Sequence, residues 1–194
     1  MMAAQSLQPM LIVIDSSGSM RQYNAGGPEG FELRIGRSGK YNNIVLPESF
    51  VSSSHGRLFQ DRGRFFYQDG HSSNGSYVTS STRTKYLKGT DQVVPLSHNS
   101  VIRIGSMKDP NKRVILWFTY MAAGETVTRK DLDRDQITIG RSSGNDIVLR
   151  HPSVSRTHAV IFRQAQGYGI QDAGKHQRGP DQRGQDAPAA HAAG

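Results

Sequence analysis

Along the first 120 residues the apolar positions come in short bursts, not at helical spacing. Residues 31–35, 56–59, 64–68, 101–104 and 114–120 alternate or run apolar, and Gly, Asn, Ser or Pro bounds them. Bursts this short, rich in β-branched and aromatic side chains, fit a pleated, half-buried surface and predict strands. No apolar stripe recurs at i, i+3, i+4, so the expected class is all-β, built as a β-sandwich. Residues 114–120 are read as the strand that closes this first sandwich. After Ile170 the chain has no Val, Leu, Ile, Phe, Tyr or Trp. Such a segment cannot bury enough apolar surface to offset its ordering entropy, so 175–194 is expected to be a disordered tail.

The pattern occurs twice. Leu33, Ile35, Gly36 and Arg37 return as Ile137, Ile139, Gly140 and Arg141, and Asn42, Ile44, Val45 and Leu46 return as Asn145, Ile147, Val148 and Leu149. Val51, Ser52 and His55 return as Val154, Ser155 and His158, and Gln68-Asp69 as Gln171-Asp172. A fixed offset of 103 residues after the arginine makes these two copies of one unit. The expected organisation is a complete unit over 10–121, a truncated second unit over 122–174, and the tail.

Charge and composition narrow the chemistry. There are 24 Lys and Arg against 16 Asp and Glu, for a net charge of +8. From Gln171 onward acids and bases balance, so the excess lies in the repeat region, and a basic fold attracts phosphates in general. There is no cysteine, which excludes disulfides, thiol nucleophiles and thiolate metal sites. The apolar run at residues 10–14 is too short for a signal peptide or a membrane span, so the expected address is cytoplasmic, with no membrane partner. No P-loop, Gly-x-Ser-x-Gly or metal-type histidine spacing occurs, so no catalytic residues, cofactor or metal are expected. Gly124-Glu125 and the acids Asp131, Asp133 and Asp135, alternating with Lys130 and Arg134, read as a solvated hairpin.

Three polar clusters of the first copy fall between predicted strands: Gly36-Arg37, Ser52 to His55, and Ser72 to Gly75. Loops at one end of a sandwich can converge on a ligand while the sheets hold them rigid. An arginine, several hydroxyls and an amide suit a phosphate ester on an extended peptide. The guanidinium forks onto two oxygens, hydroxyls and backbone N–H groups donate to the rest, and Asn74 can both donate to and accept from a main chain.

The order Gly-Arg, Asn-x-Ile-x-Leu, Val-Ser-x-x-His, Asp-x-x-Ser-x-Asn-Gly resembles the forkhead-associated (FHA) domain family. Its members are β-sandwiches of about eleven strands that bind phosphothreonine peptides through loops at one end. The resemblance implies that Arg37 and Ser52 hold the phosphate and that Asn74 grips the peptide backbone. Ser73 falls where members often contact phosphate or peptide. Ser53 occupies a position that is commonly basic, as Arg156 is in the second copy. Gly36, Asn42, His55 and Gly75 are expected to support the site. His55 is read as a buried imidazole tying loop backbones together, not as a general base, because no acidic partner is apparent at a telling spacing. The implied partner is a phosphothreonine-containing protein, a Ser/Thr kinase or its substrate. In the second copy Arg141, Ser155 and Arg156 match. Lys175, His176, Gln177 and Arg178 replace the peptide-gripping Ser-Ser-Asn-Gly, as a frame change or deletion would produce; a natural, functional divergence is the alternative.

Two other readings compete. Asp15, Ser17 and Ser19 after an apolar strand resemble the metal-ion adhesion motif of von Willebrand factor A-type domains, in which hard oxygen ligands hold a divalent cation. The plainer reading of that run is a polar hairpin loop. Nucleic-acid binding rests on charge alone, and the sequence offers no evident surface of basic residues interleaved with aromatics.

Overall fold

A computed structural model describes residues 6–89, 91–165 and 167–173, and the expected tail at 175–194 lies outside the described residues. Contacts divide the chain into one unit at Met1–Thr126 and another at Val127–Gly194.

The first unit is a β-sandwich of eleven strands. One sheet has six strands in the order β2-β1-β11-β10-β7-β8: β1 (Leu7–Ile14), β2 (Met20–Asn24), β7 (Ser76–Ser80), β8 (Arg83–Leu87), β10 (Ser100–Gly105) and β11 (Arg113–Ala122). The other has five in the order β4-β3-β5-β6-β9: β3 (Glu32–Gly36), β4 (Ile44–Val45), β5 (Gly56–Asp61), β6 (Arg64–Asp69) and β9 (Val93–Leu96). Period-two alternation turns Leu11, Val13, Ile102, Ile104, Leu116 and Phe118 of the first sheet inward. They pack on Leu33, Ile35, Leu58, Phe65 and Tyr67 of the second in one buried cluster. Each such side chain contributes about 1.5–3 kcal/mol on burial. Residues 114–120 do close this sandwich, since β11 pairs along its length with β1 and also with β10.

Strands β8 and β9 were not foreseen. β8 is polar and mostly exposed, and β9 contains Pro95, which an edge strand tolerates because its N–H side needs no partner. The β5–β6 hairpin turns on Arg62 (φ 48°) and Gly63 (φ 71°), the left-handed pair that matches strand twist. Asp15, Ser17 and Ser19 form the tip of the β1–β2 hairpin. There Asp15 Oδ1 accepts from Ser17 N, Ser17 Oγ and Ser19 N at 3.0, 2.6 and 2.9 Å.

One expectation about the surface is corrected. The outer face of the five-stranded sheet does interleave basic and aromatic residues: Arg57 lies over Phe59 at 4.7 Å, Arg64 over Phe66 at 5.5 Å, and the two phenyl rings stack at 5.5 Å. In sequence these are ordinary alternating strand positions; only the register Phe59↔Phe66 assembles them. Glu32 and Asp61 share the face and offset much of its charge.

The second unit has four described strands, β12 (Gln136–Gly140), β13 (Ile147–Val148), β14 (Ala159–Gln164) and β15 (Gly167–Asp172), in the order β13-β12-β14-β15. This repeats β4-β3-β5-β6, including the parallel pairing of the two-residue strand. Leu149 and Ile170 are 46% and 69% exposed, whereas their counterparts Leu46 and Tyr67 are fully buried. The segment at 125–133 is irregular, not the hairpin expected, because it has no alternating apolar positions to pair across strands.

Candidate functional site

Three connections of the first sandwich meet at one end: those after β3, between β4 and β5, and between β6 and β7. Gly36 permits the first junction. A Cβ there would lie 2.5 Å from the Ser53 carbonyl oxygen and 2.9 Å from Asn42 Nδ2. The space is needed because Asn42 Nδ2 donates to both Ser38 O and Ser53 O at 2.7 Å, clamping the arginine loop to the serine loop. Arg37 N donates to Ser52 O at 2.9 Å, and its Nε to Val51 O at 3.1 Å. The exposed Arg37 Nη groups have no acceptor among the described residues. The side chain is thus held through Nε on an exposed residue.

Ser52 Oγ accepts from Ser73 N at 3.0 Å and keeps its own proton to donate. Ser53 and Ser73 are exposed beside it. Asn74 Nδ2 donates to Phe50 O at 2.8 Å, which fixes the amide of this exposed residue and leaves Oδ1 without a protein donor among the described residues. Arg37, Ser52, Ser53, Ser73 and Asn74 are therefore brought together by hydrogen bonds between their own loops.

Beneath them lies a buried polar layer. His55 is fully buried, and its Nδ1 accepts from Ser52 N at 3.1 Å. That bond places the ring proton on Nε2, which faces Gly75 O at 3.3 Å and Ser76 Oγ at 3.2 Å. Burial holds the imidazole below its ordinary pKa, while the Asp69 charge and the Gly75 carbonyl act in the opposite direction. The ring is neutral, and its one lone pair is occupied by an amide, not by a serine hydroxyl. This geometry ties two loops together and offers no base to Ser52.

Sequence reasoning left several supporting residues without roles. Asp69 is 1% exposed, accepting from Ser72 N at 2.9 Å and Ser72 Oγ at 2.7 Å; Ser72 Oγ in turn accepts from Gly75 N at 2.9 Å. The Asp-x-x-Ser spacing is the signal that could have revealed this turn. Gly75 sits at φ 74°, and a Cβ there would lie 2.5 Å from Leu87 O. Tyr86, on the unforeseen β8, donates its hydroxyl to Asn74 O at 2.9 Å and lies 4.6 Å from the Tyr77 ring. Nothing in the sequence marks Tyr86, since β8 reads as polar.

The second unit repeats the upper part of this arrangement. Arg141 N donates to Ser155 O at 2.9 Å, and Asn145 Nδ2 to Ser142 O and Arg156 O at 2.9 and 2.7 Å. Ser155 N reaches His158 Nδ1 at 3.5 Å, but His158 is exposed where His55 is buried. The expected peptide-gripping counterparts, Lys175 to Arg178, lie outside the described residues.

The profile of the FHA domain matches residues 33–105 and 137–178, more than half of the sequence, and the chain belongs to the FHA domain family. FHA domains are interaction modules. Among solved structures, an FHA domain of an Arabidopsis thaliana hypothetical protein is similar at 20% identity and TM-score 0.47, over 63% of this chain and 92% of that one. The N-terminal FHA domain of Rad53p from S. cerevisiae, in complex with a phosphothreonine peptide, is 15% identical with TM-score 0.45, over 58% and 94%. The FhaA FHA domain, complexed with the intracellular domain of Rv3910, is 26% identical with TM-score 0.39, over 56% and 98%. No curated protein matches the chain.

Proposed function

We propose that the first unit binds phosphothreonine in a partner protein, a Ser/Thr kinase or one of its substrates, in the cytoplasm. The chain acts as a recognition module and carries out no chemistry of its own. The observation that supports this most is Arg37, exposed and held by its Nε–H bond to Val51 O, on a loop whose Arg37 N–H bonds Ser52 O while Ser52 Oγ in turn takes the Ser73 N–H. A phosphate has the acceptors these donors need, and a guanidinium fork suits two of its oxygens. Asn74 Oδ1 is positioned to accept from the main chain of the same segment. The second unit is the other half of a tandem, in which Arg141, Ser155 and Arg156 offer a weaker phosphate cradle without the peptide grip.

The test is calorimetric titration of the full chain with a phosphothreonine peptide and its unphosphorylated twin. A charge-assisted bidentate contact contributes about 1.5–3 kcal/mol, so Arg37→Ala should weaken phosphopeptide binding roughly ten- to 150-fold. Arg37→Lys should recover only part, because a point charge cannot fork. Equal affinity for the phosphorylated and unphosphorylated peptides would refute the reading.

A further inference from the structure

The six-stranded sheet of the first unit is more apolar than a sheet with one wet face needs. An antiparallel strand in that position alternates apolar and polar residues. Yet residues 10–14 of β1 (Met-Leu-Ile-Val-Ile) and 114–118 of β11 (Val-Ile-Leu-Trp-Phe) run apolar without a break. Leu11, Val13, Leu116 and Phe118 face the core, so the side chains between them stand on the far side, away from the five-stranded sheet. Register joins these into two rows, Ile12↔Trp117↔Val101 and Met20↔Ile14↔Ile115↔Arg103↔Tyr77. Ile12 is fully buried although it lies outside the core cluster, while Ile14, Val101, Ile115 and Trp117 stay part-exposed. Trp117 Nε1 donates to Asn99 Oδ1 at 3.1 Å, which satisfies the indole N–H and leaves the ring as apolar surface.

Charge decides what fits this face. Its positions on the six strands include no Asp or Glu. Arg113 stands at its rim, lining a hollow together with Asp15 of the hairpin tip. Arg103 lies within the second row; its guanidinium makes one long hydrogen bond, Nη1 to Thr79 Oγ1 at 3.4 Å, and no ion pair among the described residues. A second copy fits poorly, since a two-fold contact would bury Arg103 against the same acid-free face. The rows cover β2, β1, β11 and β10, three spacings of about 4.8 Å, and about five residues, or about 17 Å, of strand. One helix about 10–12 Å wide and about three turns long matches that band. We propose that this face docks an amphipathic helix of a partner protein, with an Asp or Glu beside its apolar stripe meeting Arg103. Trp117, Met20, Tyr77 and Arg103 are of the residue types enriched at interfaces. The covered area lies below about 1,200 Å², the range of transient contacts, so the docking is weak and reversible.

The experiment selects unphosphorylated peptides of about four helical turns, displayed on phage, on the full chain, and titrates the enriched ones with Trp117 fluorescence as the readout. They should carry Leu, Ile, Met or Phe at helical spacing with an Asp or Glu beside that stripe, and should shift the Trp117 emission to the blue. Replacing the acid by its amide should weaken binding about two- to fivefold on the wild type and change nothing on Arg103→Gln. Ile115→Thr, which keeps a β-branched side chain in the strand, should weaken every such peptide about three- to tenfold. Neither substitution should alter the affinity for a phosphothreonine peptide. The proposal is overturned if no peptide is enriched, or if the enriched peptides bind Arg103→Gln and Ile115→Thr as tightly as the wild type. It is equally overturned by a Trp117 shift that phosphatidylserine vesicles produce and no peptide does, or one that grows with protein concentration alone as the chain self-associates.

Discussion

Replacing His55 by alanine separates a supporting imidazole from one that acts on the ligand. The change leaves the Ser52 amide, bonded at 3.1 Å to Nδ1, without a partner beneath the loop, and it empties a fully buried ring position between Gly75 and Ser76. Losing this bond at a part-buried amide costs about 0.5–1.5 kcal/mol and the cavity a further 1–2, for a total of about 1.5–3.5 kcal/mol. With a urea m-value of about 1–3 kcal/mol/M, the unfolding midpoint should fall by about 1–3 M with the slope unchanged. Trp117, the single tryptophan, lies on β11 of the first sandwich and reports that unit by fluorescence. The pH dependence has a definite sign. The folded imidazole is depressed below its ordinary 6.5, so the unfolded chain takes up the proton first. The stability His55 contributes is fully present above about 6.5 and is lost as pH falls through the depressed folded value. The difference between wild type and His55→Ala should therefore narrow below that pH. A variant with the wild-type midpoint but abolished phosphopeptide binding would show that His55 acts on the ligand and not on the loops.

Other outcomes follow from the same geometry. Gly75→Ala, at φ 74° and with its Cβ 2.5 Å from Leu87 O, should lower the same midpoint by an amount equivalent to about 1–3 kcal/mol or more. A wild-type midpoint would show that the turn relaxes freely. A phosphothreonine peptide should bind about fourfold tighter than the phosphoserine peptide that lacks only the methyl group, as burial of one methyl implies; paired titrations check it. The fragment 127–194 should aggregate or show poor amide dispersion, because Ile170 on β15 and Leu149 just after β13 stand exposed and, among the described residues, β13 and β15 have no further strand on their outer edges. A sharp two-state melt would identify it as a domain in its own right.

Much of this arrangement is legible from sequence because its signals are local. Alternation placed β3, β5, β6, β10 and β11 to within a residue or two, and the ordered motifs led to the family. The repeat in sequence reappears as the same bonds from Asn42 and Asn145 to the carbonyls of Ser53 and Arg156. What stayed hidden depends on long-range register. Strand β8 is polar because its outer face meets solvent, and Tyr86 gains its role only when β8 pairs with β7. The arginine–phenylalanine ladder looks like routine alternation until two strands lie side by side. Asp69 belongs to the motif, but its role in holding Ser72 emerges only with its burial. The segment at 125–133 misled because alternating charges resemble an exposed strand pair, yet nothing apolar underlies them.

In the proposed function, three loops at one end of the first sandwich hold a phosphothreonine. Chemical-shift mapping of the labelled full chain tests it most directly, with a phosphothreonine peptide added and then its unphosphorylated twin. Phosphate-dependent shifts should concentrate at the amides of Arg37, Ser52, Ser53, Ser73 and Asn74 and at the Arg37 Nε–H. Shifts of equal size with the unphosphorylated peptide, or shifts centred away from these loops, would contradict it.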